Sequence, residues 1–200
     1  MATYQFKGQD IVAPFRITSN EPAFVADTVS LKQRRVTQGS QRWELEFGVV
    51  MEDPADTFAD MVSSFHSTVT MEMPQLNVRG ETISSGTSSS QVSVNGTHAA
   101  GSTNVSLSFA NGTIKKGRFI KFNNHDKIYL VTSTFTTGSG ILSIFPSLRQ
   151  TVPSGTQLLY RDVTDQITFT AYREVSNVSG IVYTDGILSE AGNINLIEAL

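Results

Sequence analysis

The sequence predicts a mainly β fold in two parts: a β-rich domain with one α-helix, and a small closed or half-closed β-barrel inserted into it. Three observations carry this expectation. Apolar residues make up 39% of the 200 positions and charged residues 16%, and the apolar ones fall in short runs separated by Ser, Thr, Asn and Gly, the texture of strands joined by turns. One segment alone has a clear helical signal. Residues 80 to 90, Gly-Glu-Thr-Ile-Ser-Ser-Gly-Thr-Ser-Ser-Ser, carry too little apolar surface to pack and read as a linker or exposed loop, beyond which the strand spacing shortens. With 12 Phe, 5 Tyr and a net charge of −3 the chain has the means to fold. Its length suits one large domain or two small ones, since a single core serves roughly 100 to 150 residues, and two are expected.

Residues 26–38 and 42–50 read as a hairpin turning at Gly39-Ser40. In the second strand Trp43, Leu45, Phe47 and Val49 fall on one face, opposite Arg42, Glu44 and Glu46. The helix is expected over 53–67, with Asp53 as N-cap and Pro54 at the first helical position. Ala55, Phe58, Met61, Val62 and Phe65 recur along it at helical spacing. Residues 69–79 return to strand, with Val69, Met71 and Met73 on one face before Pro74 interrupts the pairing.

Short strands then follow at 92–94, 104–109, 119–122, 127–131, 141–145 and 158–160. Their separators are turn chemistry: Asn95-Gly96, Asn111-Gly112, Asn123-Asn124, Gly138-Ser139-Gly140 and Pro153-Ser154-Gly155. Five or six short strands in so few residues suggest a barrel. Segment 166–174 alternates again, with Ile167, Phe169 and Ala171 inward, and 181–200 reads as extended and surface-hugging. The first block is short of strands, so the last segment is expected to pair back with it. The domains are then 1–90 completed by 166–200, and an inserted barrel at 91–165.

Charge follows this partition. Residues 91–172 hold seven bases and three acids, a balance of +4, while the remainder holds eight bases and fifteen acids, −7. Oppositely charged modules favour ordered docking between copies, steering association more than determining it. The absence of Cys removes disulfides, thiolate metal sites and a cysteine nucleophile. Met1 to Ile11 lacks a signal-peptide core, and no apolar run approaches the roughly 20 residues of a membrane span. The sequons at Asn95, Asn104, Asn111 and Asn177 read as turns.

No residues are assigned to catalysis, cofactor binding or metal, and no cofactor is expected. His66, His98 and His125 stand apart from one another without a second ligand at metal spacing, and solvent-facing or helix-terminal roles account for them. Glu52, Asp53, Asp56 and Asp60 form the densest carboxylate cluster. Calcium needs six or more oxygen ligands and the helix offers about three, so capping and dipole compensation explain them better. Ser84 to Ser90 lies where no scaffold preorganises a nucleophile, and neither a nucleophile elbow nor a phosphate loop is present. The basic stretch Lys115 to Lys127, interleaved with Phe119 and Phe122, invites comparison with single-strand-binding barrels. Alternation assigns at least one of Phe119 and Ile120 to the core, and the bases to a solvated barrel face.

Three stretches taken in order resemble the distal tail proteins of long-tailed (siphovirus-type) bacteriophages, in their two-domain form. The first is 42–79, with Trp43-Glu44-Leu45-Glu46-Phe47 and the helix after it. The second runs from Ala110 to Phe122, then Lys127-Ile128-Tyr129-Leu130-Val131 and Ile141 to Arg149, ending in Pro146-Ser147-Leu148-Arg149. The third is Gly192 to Leu200, ending Glu198-Ala199-Leu200. Gly117 is followed by Arg118 where the family commonly has an acid, so the fold is carried over and no contact is.

The resemblance implies a β-sandwich ring domain with one α-helix plus an inserted small OB-like barrel. It also implies a homo-hexameric ring in the virion, at the tail tip, assembled in the host bacterial cytoplasm. Such a ring joins the tail tube protein to hub, tape-measure and fibre proteins, and DNA passes its lumen without specific binding. A contractile-tail hub ring, a carbohydrate- or host-surface-binding β module and a cell-wall enzyme are the competing expectations.

Overall fold

The structure is a computed structural model, and it describes residues 5–7, 9–27, 33–37, 39–49, 59, 62–63, 66–74, 92–160, 167–174, 181–184, 187–191 and 194–200. The fold is mainly β. In chain order the strands are β1 (Gln5–Phe6), β2 (Gln9–Asn20), β3 (Ala23–Asp27), β4 (Gln33–Thr37), β5 (Arg42–Val49), β6 (Val69–Glu72), β7 (Val92–Val94), β8 (Asn104–Ile114), β9 (Phe119–Phe122), β10 (Ile128–Val131), β11 (Phe135–Phe145), β12 (Leu158–Leu159), β13 (Thr168–Arg173), β14 (Ile181–Thr184), β15 (Ile187–Ala191) and β16 (Ile194–Glu198). Two compact units divide the chain, 1–69 with 170–200, and 70–169. The crossings at 69/70 and 169/170 fall within β6 and β13, rather than at the expected 90/91 and 165/166.

The first unit is built on the strands β1-β2-β5-β16-β13, neighbours in that order. Its centre is set by β5, whose period-two alternation buries Trp43, Leu45, Phe47 and Val49 and turns Glu44 and Glu46 to the other face. Phe47 meets the edge of Phe6 at 5.5 Å and stacks on Phe15 at 5.6 Å. β16 pairs antiparallel with β5, Leu196 opposite Leu45, and with β13, Tyr172 opposite Ile197. At its end the buried Glu198 carboxylate accepts a hydrogen bond from the Trp43 N–H at 3.0 Å.

Several expectations for this unit are corrected. Residues 33–37 do not form a hairpin with β5. β4 pairs with β3, Phe24 opposite Val36, while β5 takes β2 and β16 as neighbours. The reason is apolar content: Gln33-Arg34-Arg35-Val36-Thr37 has little to offer a core, whereas β2 brings Phe15 and Ile17. β2 is hidden in the sequence by Pro14, which sits at the register shift between Val12 and Arg16, where its missing N–H costs no ladder bond. Residues 194–198 are not surface-hugging but a central strand, with Ile194 and Leu196 buried. Of the expected helix, Ala59, Val62 and Ser63 have helical backbone, and Val62, expected on its apolar face, is 55% exposed. Positions 51–58, 60, 61, 64 and 65 lie outside the described residues, as does 75–91 with the expected linker.

The second unit holds a nearly closed sheet of order β12-β9-β10-β11-β8-β7. The ends approach through Val94 N–H to Thr156 C=O at 2.9 Å, Gly155 N–H to Val94 C=O at 2.8 Å, and a bridge between Ser93 and Gln157. Inside lie Val94, Leu107, Ile120, Phe122, Tyr129 and Ile144, all buried. Turns at Asn95-Gly96, Asn123-Asn124 and Ser154-Gly155 stand where turn chemistry placed them, Gly96 taking the positive φ (83°) that a side chain resists. Two other expected turns are not turns. Asn111-Gly112 and Gly138-Ser139-Gly140 lie within β8 and β11, which run past each other for eleven residues each. The register shifts between Thr136 and Gly138 while its partners pass from Thr113 to Phe109, so Gly112 and Gly138 serve a bulge. The reversal comes at Lys116-Gly117, where Gly117 has φ 90°.

Candidate interaction surfaces

The outer face of the first unit's sheet follows from register. Arg16, Glu46 and Asn195 form one cross-strand row, extended by Glu174, whose N–H donates to Asn195 C=O at 3.0 Å. Thr18, Glu44, Ile197 and Tyr172 form the next row. Between β2, β5 and β16 these rows enclose an open groove of about 280 Å³ lined by Arg16, Thr18, Glu44, Glu46, Glu174 and Asn195, with Leu45, Leu196 and Ile197 as its apolar elements.

Its polar groups are organised. Glu44 accepts from Asn20 Nδ2 at 2.7 Å and Arg42 Nε at 3.2 Å, Glu46 faces Arg16 at 3.6 Å, and Glu174 accepts from Asn195 Nδ2 at 3.1 Å. Among the described residues, Asn195 Oδ1 is the buried side-chain polar atom left without a hydrogen-bond partner. Tyr172, 49% exposed, flanks the groove. On the opposite face Arg173 is buried, and desolvation lowers its pKa from the usual arginine value.

The basic stretch of the barrel is only in part a solvated face: Lys116 is exposed, Lys115 and Lys121 are half-buried, and Arg118 and Lys127 are buried. Phe119 and Ile120 are both buried, as are Phe122, Arg118 and Lys127. Lys121 bonds Asp126 at 2.6 Å and Thr168 C=O at 3.4 Å, its side chain only 11% exposed. The aromatics that a stacking platform needs are therefore committed to packing.

His125 is half-buried rather than freely solvent-facing. Its ring stacks on Phe122 at 5.9 Å and meets the edge of Tyr129 at 5.6 Å. Arg149 N–H donates to Tyr129 Oη at 3.0 Å, and that hydroxyl donates to His125 Nε2 at 2.8 Å. His125 Nδ1–H then donates to Asn124 Oδ1 at 2.8 Å, and Asn124 Nδ2 donates to Thr151 C=O at 3.2 Å. This relay requires the neutral Nδ1–H tautomer, assigned from the partners. Burial holds the His125 pKa below 6.5, nearby Asp126 opposing the shift and Lys121 and Lys127 adding to it. The relay fastens the β9–β10 turn to the 149–151 segment, a structural task.

His98 Nε2 accepts from Ser106 N–H at 3.1 Å, bracing β8, and His66 is exposed. Among the described residues no three His, Cys, Asp or Glu gather as a metal site. Glu52, Asp53, Asp56, Asp60 and Ser84 to Ser90 lie outside them. No helix among the described residues is long and apolar enough to cross a membrane. Sequence reasoning missed the groove because its lining comes from four separated strands or strand ends, with no motif. The one local signal was the polar face of β5. No protein-family model matches the chain, and no curated protein matches it.

Proposed function

We propose that this chain is a structural component of a bacteriophage tail tip, a distal tail ring adaptor that joins the tail tube to hub, tape-measure and fibre proteins and leaves a channel for DNA. The observation that carries the reading is the arrangement of the chain: a β unit assembled from both ends of the sequence, interrupted by a small, nearly closed barrel. In this reading the first unit is a sandwich-type ring domain with one helix that includes Ala59, Val62 and Ser63. The second is the OB-like barrel, and six copies make the ring. The acid excess outside residues 91–172 suits a DNA conduit, because like charge keeps the duplex from adhering to the wall. The protein acts by contacts rather than catalysis, within the virion.

The test is negative-stain imaging and mass photometry of the purified full chain at micromolar concentration and above. A six-fold ring is expected, and a strict monomer refutes the ring reading. Tyr172 beside the polar groove favours a second reading, a carbohydrate- or host-surface-binding module, because sugars stack on exposed aromatics and bond carboxylates and amides. Glycan-array binding by the monomer, lost in Tyr172→Ala, distinguishes it.

A further inference from the structure

Among the described residues, the ribbon β3–β4 is joined to no other sheet. Its two strands form a sheet of their own, and a lone two-stranded ribbon is marginal in water unless something packs on it. All of β3 and Gln33 to Val36 are exposed, including Phe24 at 67%, Val25 at 55% and Val36 at 51%. Phe24 lies directly opposite Val36 and Ala26 opposite Arg34, so one face presents an apolar pair with a guanidinium beside it. The charge of this segment is also opposite to that of the unit carrying it. Residues 23–37 hold Lys32, Arg34 and Arg35 against Asp27, +2, while the rest of 1–69 and 170–200 holds four bases and twelve acids, −8.

The groove on the outer sheet face has the complementary character, with Glu44, Glu46 and Glu174 around Ile197 and Tyr172 at its rim. We propose that the β3–β4 ribbon of one copy seats in the groove between β2, β5 and β16 of a second copy. Phe24 and Val36 then cover Ile197 and Tyr172, and Arg34 lies among the three carboxylates. Ribbon and groove are different patches, so the contact is heterologous: each copy offers one of each, and assembly continues until a ring closes. The proposal rests on the ring reading and names the contact that builds it.

Two full-length variants test it. Phe24→Ser with Val36→Ser alters only exposed side chains. Glu44→Gln with Glu46→Gln and Glu174→Gln removes charge while keeping the acceptors used by Asn20, Arg42 and Asn195. Thermal melts confirm that both fold, and mass photometry reads assembly. Each variant alone is expected to stay monomeric where the wild type forms rings, with self-association weakened at least tenfold. Mixed one to one they are expected to stop at dimers, because one partner keeps an intact groove and the other an intact ribbon.

Wild-type rings accompanied by variant rings overturn the contact and leave the ring reading standing. A monomeric wild type overturns both. A mixture that stays monomeric also overturns the contact, since the two patches then do not meet. Glycan binding lost in the groove variant, with assembly intact, assigns the groove to a sugar instead.

Discussion

Replacing Tyr129 with Phe keeps the buried ring, including its edge contact with Phe122 at 5.5 Å, and deletes one oxygen. That oxygen accepts from Arg149 N–H at 3.0 Å and donates to His125 Nε2 at 2.8 Å, so the substitution strands a donor and an acceptor together. A buried group left unpaired costs about 1–3 kcal/mol. Both bonds are only part-buried, so water reaches the partners and the low end applies, for a total of about 2 kcal/mol. In a unit of 100 residues, 70–169, each kcal/mol lowers Tm by about 4–8 °C, and the expected drop is about 8–16 °C. Circular-dichroism melts of wild type, Tyr129→Phe, His125→Phe and the double variant measure it. The double variant should be less destabilised than the sum of the singles by about 1 kcal/mol, because the shared bond is lost once. A Tyr129→Phe melt within about 2 °C of wild type would refute the relay.

Other outcomes follow from the same contacts. Because folding lowers the His125 pKa, the unfolded chain binds more protons as pH falls through about 6.5. Stability is therefore full above that value and declines as pH drops toward the folded pKa, and in denaturant titrations His125→Gln should flatten this slope. Glu198→Ala should cost about 1–3 kcal/mol by removing the carboxylate that accepts from the Trp43 N–H, with Glu198→Gln recovering much of it in urea melts. Gly140→Ala would place a methyl 2.9 Å from the buried Phe135 ring and should cost about 1–3 kcal/mol, read from the same melts. Single-stranded DNA should raise no saturable fluorescence-anisotropy signal at 100 mM salt, since Phe119 and Phe122 are buried.

What was legible in the sequence was local. The alternation Trp43 to Val49 marked β5, and Val92–Val94 and Phe119–Phe122 coincide with β7 and β9 because turn residues bound them. What failed depended on partners far along the chain. Asn111-Gly112 has the chemistry of a hairpin turn, yet pairing of β8 with β11 on both sides of it outweighs that preference and converts the signal into a bulge. Pro14 disguises a strand whose interruption falls at a register shift.

The groove was the least legible feature. Arg16, Glu46 and Asn195 become neighbours only through strand register, and nothing near Asn195 in sequence announces that its Oδ1 is buried without a partner. His125 was misjudged for the same reason: its relay runs to Arg149 and Thr151, which the turn sequence Asn123-Asn124 does not reveal.

The place of β16 has a consequence for biosynthesis. β5 leaves the ribosome well before one of its two sheet neighbours and the carboxylate that caps the Trp43 N–H, which lie about 150 residues downstream, Glu198 being 155 positions after Trp43. At roughly 5–20 residues per second, β5 waits about 8–30 s with one edge unpaired while the barrel is made. An open apolar edge is a template for pairing with other nascent chains. The inserted barrel, whose sheet is complete within 92–159, has no such wait, so ribosome-bound chains should acquire it first.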